Sequence, residues 1–321
     1  RSLLKVALFV AFFPQLVAGP IVRARQFLPQ LDEPPTYDDE SSGSGLYLIL
    51  RGLIKKVVFA DVIGSFLVNP VFGNPSGYGG LWILLALYGF RIQIYGDFAG
   101  YSDIAIGCGR LLGFRLPQNF NAPFKADSFR NYWQRWHMTL GSWFRDYLFF
   151  PLGGSRGGFW RTNLNILLTM MVVGLWHGAA WTYVIWGALH GFFLLVERLY
   201  RHFRPPTGET GRAVHVLKVI VVFHLSTLAT GIFRAPNVAT MTSLWSSLSQ
   251  PAEGLAEVPW GVWVVFALAL ITHYLPETWK ERSEALFVGM PAAAQALVLV
   301  ACLVLFRLVG LAVEPFYYFQ F

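Results

Sequence analysis

Charge is what this sequence has least of. Of its 321 residues only 13% are Asp, Glu, Lys or Arg, about half the share of an ordinary soluble domain. That shortage argues against a soluble globular protein. Between residues 162 and 196 there is no charged side chain at all. Cysteine is almost missing too. Cys108 and Cys302 stand far apart in apolar context, which argues against a disulfide framework and against a zinc site. No Walker pattern occurs, so P-loop chemistry is not indicated.

What the chain has instead is apolar and aromatic. Hydrophobic residues make up 55%, with 28 Phe, 12 Trp and 13 Tyr. Long uncharged runs lie at residues 6–22, 162–196, 219–233, 258–276 and 285–306, and a helix of about 20 residues crosses a bilayer. The pattern predicts an all-α polytopic membrane protein. The net charge is +7, but the cations are scattered along short connections. They suit a bilayer-facing surface in contact with membrane lipid and give no nucleic-acid patch. The stretch from Glu197 to Lys218 carries Arg198, Arg201, Arg204 and Arg212, so it and the loop GGSRGG, residues 153–158, are expected on the cytoplasmic side.

Along the chain, the acidic, Pro- and Ser-rich residues 32–45 read as a solvated loop. Arg51, Lys55 and Lys56 read as cations that snorkel to an interface. Residues 130–152, RNYWQRWHMTLGSWFRDYLFFPL, repeat their aromatics at three and four spacings, which predicts one helix. In DFAGYSDIAIG, residues 97–107, Asp97 and Asp103 read either as an ion pathway or as partners of Arg91 and Arg110. Pairing is favoured because a lone charge at membrane depth is costly.

The 35 uncharged residues around VVGLWHGAAW would make about 52 Å of continuous helix, too long for one upright span. A break at Gly178-Ala179-Ala180 resolves this and leaves His177 at a helix end inside the bilayer thickness. A histidine in a membrane segment is a functional candidate, and its ordinary pKa near 6.5 allows it to take and return a proton. The alternative is a neutral ring bonded to a backbone carbonyl. His137, in Arg135-Trp136-His137, is either a base or a belt residue, and His190 reads as helix packing. His177 and His190 lie about 140° apart around an unbroken helix, which does not suit a shared haem. The GGSRGG loop could wrap a phosphate through its backbone amides.

Six segments then carry a resemblance: FFPQLVAGPIVRARQFLPQL (12–31), RGLIKKVVFAD (51–61), YGDFAGYSDIAIG (95–107), LPQNFNAPF (116–124), FRNYWQRWHMTLGSWFRDYLFFPLGGSRGG (129–158) and GLWHGAAWTYVIWGALHG (174–191). In order, they resemble the membrane-bound O-acyltransferases (MBOAT), closest to the branch that acetylates bacterial exopolysaccharides such as alginate. The resemblance implies one domain over residues 1–321, with the signature core at 97–200. Its fold would be a helical bundle around a buried tunnel, multi-pass in the bacterial inner membrane. Further N-terminal spans usually precede the FPQLVAGPI segment, so the chain is expected to begin inside a longer protein.

The implied reaction moves an acetyl group from a cytoplasmic thioester, acetyl-CoA or another acyl thioester, to an extracytoplasmic hydroxyl, with no resident cofactor and a periplasmic acetyl-transferring partner. The family places its catalytic histidine at His177 and a second functional histidine at His137. Asn119, Asn121, Trp133, Arg135, Trp136, Arg145 and Trp176 are the donor- and substrate-binding candidates. Two alternatives stay open: D-alanyl or other acyl transfer to a cell-envelope polymer, and a proton-coupled transporter of a polysaccharide or lipid intermediate that uses His177 and Asp97 as relays.

Overall fold

The computed structural model describes residues 2–16, 18–33, 38–205, 210–251, 257–308 and 316, and every regular element among them is helical. In chain order these are α1 (Leu3–Ala11), α2 (Ala24–Phe27), α3 (Asp39–Leu53), α4 (Asn69–Gly73), α5 (Gly80–Leu111), α6 (Phe129–Trp133) and α7 (Met138–Phe144), then α8 (Gly158–His177), α9 (Trp181–Phe203), α10 (Arg212–Arg234), α11 (Val238–Ser247), α12 (Trp260–Tyr274), α13 (Glu277–Val288) and α14 (Ala292–Leu308). They form two compact units. The first comprises Arg1–Ser65, Ile92–Phe120 and Pro259–Gln320, and the second Phe66–Arg91 and Asn121–Val258.

Two helices of the second unit bury polar residues and expose apolar ones. Helix α8 exposes Leu164, Leu168, Val172, Leu175 and Trp176 and buries Thr162, Asn163, Asn165 and Thr169. Helix α10 exposes Val214, Leu217, Ile220 and Val221 and buries Ser226, Thr227 and Thr230. A water-soluble helix does the reverse. The buried hydroxyls bond back to their own helix: Thr169 donates to the Asn165 carbonyl at 2.7 Å and Thr230 to the Ser226 carbonyl at 2.6 Å, as polar groups must where no water reaches. Among the described residues α10 alone is long and apolar enough to cross a bilayer as one helix, while α12 and α13 pass that test together but bend by 100° at their junction.

Several expectations are corrected. The run 6–22 is no single helix. Helix α1 stops at Ala11, a 3-10 turn holds Pro14, and Phe12 and Val22 fold onto Phe27 as one small core. Pro14 lacks the N–H a continuing helix needs. The loop expected over 32–45 is helix from Asp39 onward, because Asp38 caps it: its carboxylate accepts the Ser41 N–H at 2.6 Å, and Asp39 and Glu40 favour the first turn. That hydrogen bond holds the Asp38 carboxyl below the usual carboxylate range. Residues 34–37 of that loop lie outside the described residues. The run 285–306 is split between α13 and α14 at Gly289–Pro291.

The cations of the α3 region do not snorkel. Arg51 grips Asp103 with Nε and Nη2 at 2.9 and 2.8 Å, and Lys55 adds a third contact at 2.6 Å. Lys56 bridges Asp61 and Asp97 at 2.8 and 2.7 Å. Pairing was the favoured reading of Asp97 and Asp103, but with the wrong cations; Arg110 pairs with Glu284 at 3.2 Å. An Asp103→Asn change leaves two cations facing one neutral amide, and removing one partner of a buried pair costs about 3 kcal/mol or more. The full-length variant in detergent should therefore melt well below wild type, and an unchanged melting temperature would contradict the ion-pair assignment.

Candidate active site

The break expected in the long uncharged run is present. Helix α8 ends at His177, Gly178 and Ala180 are extended, and α9 starts at Trp181. Helix α8 begins at Gly158, so its 20 residues extend about 30 Å. Its start is anchored by Asn165, whose Nδ2 donates to the carbonyls of Leu152 and Gly154, both at 3.1 Å. Gly153, Gly154 and Gly158 take positive φ in the loop, as tight turns require. The loop amides are engaged internally: Gly153 donates to Phe150, Gly154 to Phe149 and Arg156 to Gly153. Those three N–H groups already have acceptors, which leaves the phosphate-wrapping reading only Ser155, Gly157 and Gly158.

The helix expected over 130–152 is broken into α6 and α7, and α7 runs on as a π-helical turn over Arg145–Phe149. Helix α6 is capped by Ser128, whose Oγ accepts the Asn131 N–H at 3.2 Å, and it ends after one turn. His137 then adopts φ 43° and ψ 53° before α7 begins. A left-handed residue other than glycine costs about 1–2 kcal/mol, and such strain collects at functional sites. The kink turns the His137 ring inward, where it is buried. Because His137→Gly and His137→Ala lose the same imidazole, their difference reports the backbone. The Gly variant should be the more stable by about 1 kcal/mol in thermal melts, the reverse of the order in an ordinary helix.

His137 and His177 come together across one indole. The Trp176 ring lies 6.2 Å from His137 and 4.9 Å from His177, centroid to centroid. His177 also meets Trp186 of α9 at 5.4 Å and Phe233 of α10 at 5.1 Å, both edge-on. It is 9% exposed, whereas Trp176 is 51% exposed. Trp186 carries the cluster on to His190 at 4.8 Å, and His190 packs against Tyr132 and Trp133 at 5.9 and 5.4 Å. Trp136 stacks on Tyr132 at 5.9 Å. One ring cluster thus holds three histidines and four tryptophans, with the histidines supplied by three different segments.

The other candidates do not all belong to it. Arg135 braces the turn before α6: its Nε donates to Asn131 Oδ1 at 2.9 Å and its Nη1 to the Asn121 carbonyl at 3.0 Å, while the Asn121 N–H returns to the Arg135 carbonyl at 2.9 Å. Arg135 and Asn121 shape the segment that carries His137. Arg145 is exposed and pairs with Asp146 at 2.9 Å, outside the cluster. Asn119 belongs to the first unit, fully buried, and donates to Ser102 Oγ at 3.2 Å. Sequence reasoning missed Tyr132, Trp186 and Phe233, and assigned His190 to packing alone. No local pattern marks these rings, since they meet only once the helices pack.

A family model described as MBOAT, membrane-bound O-acyltransferase family, matches residues 1–233. The probable alginate O-acetylase AlgI of Azotobacter vinelandii is 38% identical over 248 residues, 77% of this chain and 48% of that protein. The peptidoglycan O-acetyltransferase of Helicobacter pylori is 39% identical over 237 residues, 73% of this chain and 44% of that protein. The teichoic acid D-alanyltransferase of Bacillus subtilis is 29% identical over 242 residues, 67% of this chain and 57% of that protein. The chain spans about half the length of the curated relatives it matches.

Proposed function

The chain belongs to the membrane-bound O-acyltransferase family, and we propose that it carries the histidine centre of a multi-pass inner-membrane enzyme that O-acetylates an exopolysaccharide of the alginate type. The observation that carries the reading is the meeting of His137 and His177 on Trp176, at the broken end of α8. A base is needed at that depth because donor and acceptor reach the site from opposite faces of the membrane through a tunnel in the helical bundle. The donor is acetyl-CoA or another acyl thioester on the cytoplasmic side. The acceptor hydroxyl is extracytoplasmic, on the polymer or on a periplasmic acetyl-transferring partner.

In the proposed step neutral His177 accepts the proton of the acceptor hydroxyl while that oxygen attacks the thioester carbonyl. The new C–O bond forms, the C–S bond breaks, and the proton passes from His177 to the departing thiolate. His137 donates to the oxygen that gains negative charge, the contribution that preorganised donors make to acyl transfer. The indoles of Trp133, Trp136 and Trp176 wall the site and exclude water, which strengthens both interactions. Acetyl rather than D-alanyl transfer is favoured by the higher identity to the O-acetylating relatives, 38–39% against 29%. The transporter alternative loses its second group, because Asp97 is ion-paired with Lys56.

Membrane vesicles that carry the full-length protein and receive labelled acetyl-CoA on the cytoplasmic face test the reading. Free thiol should appear in step with label in ester linkage, on polysaccharide or on the partner protein. Movement of polysaccharide across the vesicle wall without thiol release would overturn acyl transfer in favour of transport.

A further inference from the structure

The second unit holds a permanently charged group that the proposed reaction does not use. Arg91 lies about 16 Å along α5 from Gly80, in a stretch with no other charge between residues 62 and 96, and it is 2% exposed. Three rings surround its guanidinium: Trp136 at 4.8 Å, Tyr132 at 5.0 Å and Phe124 at 5.1 Å from Cζ. Such faces attract a cation through the ring quadrupole, and the Tyr132 hydroxyl is a hydrogen-bond partner of the guanidinium. Thr230 Oγ1 takes Nη1 at a long 3.4 Å. The buried Nε and Nη2 make no hydrogen bond to any described residue, and no carboxylate of the described residues forms an ion pair with Arg91.

The chain itself shows what that edge of a guanidinium is for. In Arg51 the same two atoms, Nε and Nη2, grip the two oxygens of Asp103. Arginine presents this fork to carboxylates and phosphates alike, and a buried charge without a counter-charge is among the costliest things a fold can hold. Two further polar atoms of the same ring cluster, Trp133 Nε1 and His190 Nδ1, are also buried without a hydrogen-bond partner among the described residues. Tyr132 links all three, at 5.0 Å from the Arg91 Cζ and at 5.6 and 5.9 Å from the rings of Trp133 and His190.

We propose that Arg91, with Trp133 and His190, forms a buried subsite for an oxyanion, in which the Nε/Nη2 edge takes two oxygens of a carboxylate or phosphate borne by a substrate. That the ligand belongs to a substrate rests on the acyl-transfer reading; the binding of the oxyanion does not. A carboxylate would come from a uronate-bearing acceptor, and a phosphate from the thioester donor.

The experiment titrates full-length protein in nanodiscs with sodium glucuronate, inorganic phosphate and neutral methyl glucoside, and follows the fluorescence of the tryptophans that line the cluster. At least one anion should give a saturable response and the neutral sugar none. Saturation by glucuronate alone identifies an acceptor carboxylate, and by phosphate alone a donor phosphate. Competition between the two shows one site that takes either. Arg91→Met should abolish the response. Arg91→Lys, which keeps the charge but loses the fork, should weaken it by about tenfold or more, and serves alone if the Met variant does not fold. No saturable response to either anion, or an unchanged response in the variants, would overturn the proposal. Neither result bears on thiol release from acetyl-CoA, so failure of the subsite and failure of acyl transfer are separable.

Discussion

Cells that carry the full-length protein with His177→Ala should make exopolysaccharide with acetyl ester at the background level of a strain lacking the protein. General base catalysis contributes about 10²–10⁴-fold to a rate, and the position of His177 leaves no obvious substitute. The rings packed on it, Trp176, Trp186 and Phe233, accept no proton near neutral pH. His137 packs on the same Trp176 indole and is committed in the proposal to the oxygen. His137→Ala should therefore lower acetylation less than His177→Ala. Membrane levels of each variant must match wild type, because removal of a buried ring also leaves a cavity. Acetylation that persists in His177→Ala at equal protein level would remove this histidine from the chemistry.

Legibility in the sequence followed the range of the forces involved. The break after His177 was readable because it is a length problem: 35 uncharged residues exceed one upright span, and Gly178-Ala179-Ala180 is where the chain can give. His137 was readable as a candidate but not as a kink. A left-handed residue is usually marked by glycine or asparagine, and here a histidine occupies it with no local signal. The charge pairs of the first unit were half readable. That Asp103 would be paired follows from the cost of an isolated charge, but Arg51 and Lys55 stand 52 and 48 residues away, whereas the cations nearest in sequence, Arg91 and Arg110, have other surroundings. Arg91 illustrates the same limit from the other side. Its place in a charge-poor stretch was visible, but its cage of Phe124, Tyr132 and Trp136 is built from a segment more than 30 residues on.

The largest stability effect is expected at a position with no side chain. Helices α8 and α9 approach antiparallel through Gly174 and Gly187: a Cβ on Gly187 would stand 2.2 Å from the Met170 carbonyl oxygen, and one on Gly174 would stand 2.1 Å from that of Tyr183. Both obstacles are backbone, so no rotamer change relieves them, and the two helices would have to separate. Small residues permit this kind of close approach between helices in membranes, where packing rather than the hydrophobic effect holds them together. Gly187→Ala should cost about 3 kcal/mol or more, at the upper end of overpacking changes. It should also impair acyl transfer in the protein that survives, since separation of α8 from α9 draws His177 away from Trp186. Gly261→Ala is the contrast: nothing lies within 4 Å of its Cβ, and inside α12 the extra methyl should stabilise by about 0.5 kcal/mol. Heating both variants in detergent and measuring the fraction still monodisperse compares them directly. Equal melting for Gly187→Ala and Gly261→Ala would mean that α8 and α9 are not in glycine contact, and the position of His177 against Trp186 would lose its support.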